Sequence, residues 1–210
     1  EFDKGGERNW TAAKYQAKRN TIYKTITAMG GWNPLTMIGF AEIENEFILT
    51  DLIESTPLRH FNYKVIHYES NDLRGIDVGF VYLADQFTVL YSKKIPIIDS
   101  TDVNFTTRDI LYVKGFLGSD TLHIFINHWT SRYRGFAQSE PLRVLAASVL
   151  RKTTDSICKQ NPASAILIMG DLNDNANNES ISLFVQDTST CSFVDLPLKI
   201  SNYEVKGTLK

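Results

Sequence analysis

The sequence has few cysteines, no excess of basic charge and no long apolar run, and each absence excludes a class of protein. Two cysteines, Cys158 and Cys191, are too few for a disulfide framework, and their spacing alone leaves open whether they pair. The net charge is −2, so no overall basic field attracts nucleic acid and any polyanion site must be local. No apolar stretch reaches the ~20 residues of a membrane span, and no signal-peptide pattern opens the chain.

What remains is the composition of an ordinary globular protein. The 210 residues are enough for one large domain with a real core or for two small ones, and 43% of them are hydrophobic and 22% charged. No internal repeat or low-complexity linker is visible, and strand and helix patterns alternate along the chain. We therefore predict a single domain over residues 1–210.

The periodicity of apolar residues predicts two long helices and a series of strands. One helix is predicted over 11–29, and a second over 139–160 with Ser139 as N-cap and Pro141 in its first turn. A short helix is predicted through "EFILTDLIE". Strands are predicted for "LTMIGFAEI", "DVGFVYLA", "FTVLYSKKIPI", "DILYVKGFL", "TLHIFINHW" and "AILIMG". The pattern favours an α/β sandwich with mixed sheets.

Three predicted strands end in acid, amide or imidazole side chains. The residues concerned are Glu42, Asn127 with His128, and Asp171 with Asn173. Each one alone is explained as well by a turn, a cap or a half-buried histidine. Three such strand ends together are much less probable by chance, and rigid strand ends are where ligand sites commonly gather.

The side-chain types at these strand ends predict a metal site and a reaction. Carboxylate and amide oxygens without a His/Cys ligand set suit Mg²⁺ or Mn²⁺, and Mg²⁺ usually keeps water molecules for a phosphate substrate. A nearby histidine can donate to phosphate or transfer a proton. Together these groups are typical of metal-assisted attack of water on a phosphoester.

Four blocks of sequence resemble the endonuclease/exonuclease/phosphatase superfamily, which includes DNase I-like nucleases, sphingomyelinases and inositol phosphatases. The blocks are "GFAEIEN", "LRGIDVGFVY", "FINHWTSRYRG…SEPLR" and "MGDLND"; they occur in family order between residues 39 and 174, and the third resembles a bacterial subgroup. The resemblance implies a DNase I-like four-layer α/β sandwich, with two packed, mostly antiparallel sheets and helices outside. It leaves the compartment open between bacterial cytoplasm and export, and the oligomeric state unknown.

The resemblance also implies roles for residues at matching positions. Glu42 would bind the metal, His128 would contact the scissile phosphate or transfer a proton, Asp171 would orient or activate water, and Asn173 would hold the phosphate. Asp77 is expected to orient His128 through a carboxylate–imidazole bond.

Four further residues are predicted to contact substrate. Arg108 resembles an arginine that contacts phosphate in DNase I-like enzymes. Arg74 and Arg132 are candidates because a guanidinium can bond two phosphate oxygens, although solvated loop arginines are about as well supported. Asn127, which a turn cap would also explain, is the fourth.

The sequence departs from the family at both ends. The strand that normally bears a metal-site Asn is expected upstream of residue 1, and no histidine follows "MGDLND" to fill the final catalytic position. The chain is therefore expected to be incomplete at both ends. A phosphodiesterase, with nuclease first, is the leading interpretation; a phosphatase, a sphingomyelinase-like lipid phosphodiesterase and a non-catalytic binding module are the alternatives.

Overall fold

The computed structural model describes residues 10–185, 191–194 and 196. Its helices are α1 Ala12–Gly30, α2 Glu46–Glu54, α3 Phe136–Gln160 and α4 Glu179–Val185. Its strands are β1 Met37–Ile43, β2 Tyr63–His67, β3 Asp77–Leu83, β4 Phe87–Ile95, β5 Ile110–Leu117, β6 Asp120–His128 and β7 Ala165–Asp171. Short 3-10 helices cover Pro57–His60 and Arg132–Arg134.

The strands form two sheets. One has the order β1-β3-β2 and the other β4-β5-β6-β7. Every neighbouring pair is antiparallel except β6 and β7, which are parallel because α3 connects them. This confirms the predicted fold class, and β5 and β6 form an antiparallel hairpin.

Three hydrophobic clusters separate the layers of the sandwich. Alternate residues of β3 show the arrangement, since Phe80 faces the other sheet while Val81 faces the helices. The cluster between the sheets includes Phe87 and Ile124, and α1 and α2 cover the outer face of the first sheet. On the outer face of the second sheet, α3 and α4 pack with residues such as Leu150. The helices thus lie outside both sheets, as predicted.

The first helix begins where the sequence indicates, but the third does not. Thr11 caps α1, accepting a hydrogen bond from the Lys14 N–H. The prediction that Ser139 caps α3 is wrong, because the helix begins at Phe136 and Pro141 lies inside it. The Ser139 hydroxyl donates instead to the Gly135 carbonyl, 2.7 Å away, as serines within helices do.

Other features had not been predicted or remain untested. Strand β2 and helix α4 were missed, and Cys158 is disulfide-bonded to Cys191. No helix among the described residues combines the length and apolarity that a membrane crossing needs. The prediction of one domain over 1–210 extends beyond the described residues and stays a prediction.

Candidate active site

The parallel ends of β6 and β7 place His128 beside Asp171. The two residues are register partners, and the Trp129 N–H donates to the Asp171 carbonyl at 2.9 Å. Gly170 permits this close approach, because its φ is 128° and a Cβ there would lie 1.9 Å from the Asn127 carbonyl oxygen. The glycine before Asp171 is therefore required by the packing of the two strand ends.

Glu42 and Asn173 share an unusual backbone conformation. They have φ values of 59° and 53°, and among the described residues they are the only non-glycine residues with positive φ. Glu42 lies at an irregularity in the pairing of β1 with β3, where the register shifts between Ala41 and Ile43. A positive φ is energetically costly for residues other than glycine, and it costs more for glutamate than for asparagine. Residues in such conformations cluster at functional sites.

His128 is buried, and the two carboxylates act on it electrostatically. Burial lowers the pKa of His128 below its ordinary value, and the positive charge of Arg108 lowers this pKa further. The negative charges of Asp171 and Glu42 act in the opposite direction without cancelling the shift. Its Nδ1 has no hydrogen-bond partner among the described residues. The structure therefore brings together an imidazole, which stays neutral near pH 7, and the carboxylates of Glu42 and Asp171.

Asn173 lies at the same strand ends. Its side-chain amide donates to the Trp129 carbonyl at 3.0 Å, and its N–H donates to Asp171 Oδ1 at 2.9 Å. The first bond uses the amide nitrogen, so the amide oxygen keeps its acceptor capacity. The second bond fixes the carboxylate of Asp171 relative to the turn that follows β7.

Arg108 does not have the exposed position that a phosphate contact requires. Its side chain is 3% exposed, and it donates to the carbonyls of His128 and Trp129 and to Asp72 Oδ2. The prediction of a substrate contact is not supported by this geometry, because all of these bonds are internal. Arg108 instead holds the end of β6, and with it the backbone of His128.

Asp72 was missed by sequence reasoning, although it anchors two arginines. It accepts hydrogen bonds from Arg108 and from the exposed Arg74 side chain. Burial raises the pKa of the Asp72 carboxyl, but hydrogen bonds from Arg74 and Arg108 outweigh burial and lower this pKa to about 2. Arg74 remains a candidate for phosphate binding, because it is exposed and the charge of Glu42 acts on it.

Asn127 and Asp77 also depart from their predicted roles. Asn127 is fully buried; its amide donates to the carbonyls of Phe125 and Met169 and accepts from the Trp129 indole. It therefore has no free group for substrate. Asp77 lies 3.2 Å from His67 Nε2 and accepts from the Ser70 N–H, so the expected bond to His128 is not formed. The reason is sheet order, since Asp77 opens β3 next to β2.

Arg132 contacts the Asp171–Asn178 turn instead of standing free in solvent. Its guanidinium donates to the Asn173 carbonyl at 2.7 Å, to Asp174 at 2.8 Å and to Asn178 at 2.9 Å. These bonds use most of the N–H donors of Arg132, so its side chain mainly stabilises the turn in this structure. Its predicted role in phosphate binding stays a prediction.

A buried ion pair beneath this turn was also missed. Asp174 and Arg143 are both 0% exposed, and Arg143 Nε lies 2.8 Å from Asp174 Oδ2. Ser180 donates to the same oxygen at 2.5 Å. The sequence contains one indication of this pair, because Arg143 lies within the apolar stripe of α3. An arginine on a buried helix face is rarely stable unless it is paired.

A family model for the endonuclease/exonuclease/phosphatase family matches residues 1–194. The chain belongs to this family. No curated protein matches the sequence. Membership confirms the family proposed from the four sequence blocks, and it supports hydrolysis of phosphoester bonds as the general class of activity.

Solved structures share the fold at low sequence identity. The human Nocturnin catalytic domain with bound sulfate is 15% identical, with a TM-score of 0.64, over 81% of this chain and 62% of that one. ANGEL2, a 2′,3′-cyclic phosphatase in complex with adenosine-2′,3′-vanadate, is 12% identical, with a TM-score of 0.62, over 78% and 46%. D. rerio TDP2 complexed with a single-strand DNA product is 15% identical, with a TM-score of 0.54, over 76% and 56%. The chain thus spans less than two thirds of each.

The residues at these strand ends fit the divalent metal that the family implies. Among the described residues, Glu42 makes no hydrogen bond or ion pair within the protein, and its side chain is exposed. The exposed carboxylate of Asp171 faces the same imidazole. Two carboxylates that form no ion pair among the described residues, beside an amide oxygen, are a hard donor set suited to Mg²⁺ or Mn²⁺.

Proposed function

We propose that this chain contains the catalytic centre of a divalent-metal-dependent phosphodiesterase, with nucleic acid as the substrate class. The observation that supports this most strongly is the backbone of Glu42 and Asn173. Glu42 and Asn173, to which the sequence resemblance assigns the metal and the phosphate, are the two non-glycine residues of positive φ in the described chain. A fold that had lost its chemistry would have no reason to keep a glutamate in this conformation.

Each residue has a distinct role in the proposed reaction. Glu42 would hold Mg²⁺ or Mn²⁺, which when bound supplies positive charge to offset the charge that develops on phosphate. Asp171 orients and deprotonates the attacking water. Asn173 donates to or holds a phosphate oxygen, and neutral His128 donates one N–H to phosphate or transfers a proton. Arg74 supplies positive charge at the exposed edge.

The choice of nucleic acid draws on two of the related structures. One was solved with a single-strand DNA product and the other with an adenosine-2′,3′-vanadate. The net charge of −2 means that such a substrate would be held by local groups and the metal rather than by an overall basic field. Binding should accordingly weaken when the metal is removed.

The test is hydrolysis of a single-stranded DNA oligonucleotide, with EDTA and after addition of Mg²⁺ or Mn²⁺. Glu42→Gln is compared with Glu44→Gln, since Glu44 is an exposed acid two residues further along. We expect metal-dependent cleavage that Glu42→Gln abolishes and Glu44→Gln preserves. Cleavage that is insensitive to EDTA, or equal in both variants, would contradict the proposal.

A substrate panel separates the alternatives. A phosphomonoester and sphingomyelin vesicles are assayed beside the oligonucleotide under the same metal conditions. Preference for the monoester would identify a phosphatase, and preference for the vesicles a lipid phosphodiesterase. Absence of turnover on all three, with intact folding, would identify a non-catalytic member of the family.

A further inference from the structure

Three potential metal ligands meet at the adjacent ends of β2 and β3, apart from Glu42 and Asp171. They are His67, Glu69 and Asp77, and one ligand atom of each lies within 4.8 Å of the others. His67 ends β2, Asp77 opens β3, and the antiparallel register pairs His67 with Gly79. The sheet therefore fixes two of these residues relative to one another, and Glu69 follows two positions after His67.

Two of the three side chains are buried and face each other without a hydrogen bond. His67 and Asp77 are 3% and 2% exposed, with His67 Nε2 3.2 Å from Asp77 Oδ2. Neither atom has a hydrogen-bond partner among the described residues. The other oxygen of Asp77 accepts from the Ser70 N–H at 2.9 Å, which fixes the carboxylate and leaves Oδ2 directed at the imidazole.

The spacing of these two atoms suits a shared cation. Buried polar atoms that make no hydrogen bond are costly, and both of these atoms are in that state among the described residues. Two ligands bound at about 2.1 Å to one metal ion lie about 3.0 Å apart in octahedral geometry and about 3.4 Å apart in tetrahedral geometry. The observed 3.2 Å lies between these values.

An exposed acid and a lysine lie at the solvent side of this cluster. Glu69 is 70% exposed, and one of its oxygens lies within 4.8 Å of a ring nitrogen of His67 and an oxygen of Asp77, so its flexible side chain can close the site from outside. Lys94 lies nearby and donates to the Glu69 carbonyl at 2.7 Å. Its ammonium group is paired with Asp109 at 3.3 Å, which offsets its repulsion of a bound cation.

We propose that His67, Glu69 and Asp77 bind a divalent transition metal, for which Zn²⁺ is the best match. An imidazole with two carboxylates is a mixed nitrogen and oxygen set that favours Zn²⁺ over Mg²⁺, unlike the all-oxygen set at Glu42 and Asp171. Three protein ligands also leave one position open to water. This site is independent of the proposed phosphodiesterase reaction, because it shares no residue with it.

The test is calorimetric titration of the full chain with ZnCl₂ after treatment with EDTA and dialysis, in the presence of excess Mg²⁺. We expect one Zn²⁺ per chain, bound at least ~10-fold more weakly in Glu69→Gln and in Asp77→Asn. His60→Gln, which removes an exposed histidine, and Glu44→Gln, which removes an exposed acid, serve as matched controls and should keep the affinity.

Folding of each variant is checked by circular dichroism. If Asp77→Asn does not fold, Glu69→Gln decides alone, because that side chain is exposed and its loss does not disturb the core. A proton shared by His67 and Asp77 would give an ion pair and no Zn²⁺ binding. That result, or unchanged Zn²⁺ affinity in either folded variant, would overturn the proposal.

Discussion

At the scale of single residues, the sequence predicts which side-chain types form a site better than it predicts which side chains contact each other. Glu42, His128 and Asp171 were predicted to form a site from their positions at strand ends, and the structure places the two carboxylates where both act on the imidazole. The predicted partner of Asp77 was wrong, since the carboxylate of Asp77 faces His67 and not His128. Side-chain partners between distant segments depend on the order of strands in a sheet, which local periodicity does not contain.

Asp171→Asn should reduce turnover far more than substrate binding. The amide keeps the shape of the carboxylate but cannot act as a base, and such roles are commonly worth factors of ~10²–10⁴ in rate. Binding should change little or become tighter, because a negative charge beside an anionic substrate is removed. Single-turnover kinetics with saturating Mg²⁺ separate the two effects. Glu179→Gln, an exposed acid at the start of α4, is the matched control, and equal turnover of Asp171→Asn and wild type would contradict this role.

His128 should titrate below the ordinary histidine range. Burial and Arg108 lower its pKa, whereas Glu42 raises it, so Glu42→Gln should lower this pKa further. The unfolded chain then takes up a proton at a higher pH than the folded one, and His128 should reduce stability as pH falls below about 6.5. Nuclear magnetic resonance titration measures this pKa, with the signal assigned by its loss in His128→Gln. A pKa that is insensitive to Glu42→Gln would contradict the proximity of the two side chains.

At the scale of elements, α3 supports the turn that carries the candidate site. Its start was predicted three residues late, because Ser139 resembles a cap and yet its hydroxyl bonds within the helix and to Arg143. That contact helps to direct Arg143 towards Asp174, which lies one residue after Asn173. Sequence periodicity located the helix, but the buried ion pair depends on how the helix packs against the turn.

Asp174→Asn should destabilise the protein strongly. Both side chains of the pair are fully buried, so the substitution leaves the charge of Arg143 without its counterion, at a cost of about 3–5 kcal/mol. Asp155→Asn is the matched control, because it removes the partly exposed carboxylate of the Arg151–Asp155 pair while Arg151 keeps its hydrogen bonds to the Leu183 and Cys191 carbonyls, so a smaller loss of stability is expected. Urea unfolding compares the two variants. A shared unfolding midpoint would show that the Arg143–Asp174 pair contributes no more than the Arg151–Asp155 pair.

At the scale of the whole molecule, the sandwich was predictable because its strands are strongly patterned. The apolar runs of β3, β5 and β6 identify strands that are buried on one or both faces. Strand β2 was missed because "YKVIH" is short and its register is fixed by β3 rather than by its own pattern. The pairing of the two cysteines could not be predicted from their spacing, since it depends on the path of the chain after α4.

The Cys158–Cys191 disulfide should stabilise the half of the molecule that bears the candidate site. It closes a segment of 33 residues that includes β7, Asp171 and Asn173. Restricting a loop of that length in the unfolded chain is worth about 2–4 kcal/mol. Since the sequence has no other cysteine, a reductant acts on this bond alone. We expect the reduced protein and the Cys158→Ala/Cys191→Ala double variant to unfold at the same lower urea concentration, and the double variant to be insensitive to reductant. If reduction left the unfolding midpoint of the wild-type protein unchanged, the bond would not contribute to its stability, and the segment from β7 to α4 would be held by packing and by polar contacts such as those of Arg132 and the Arg143–Asp174 pair.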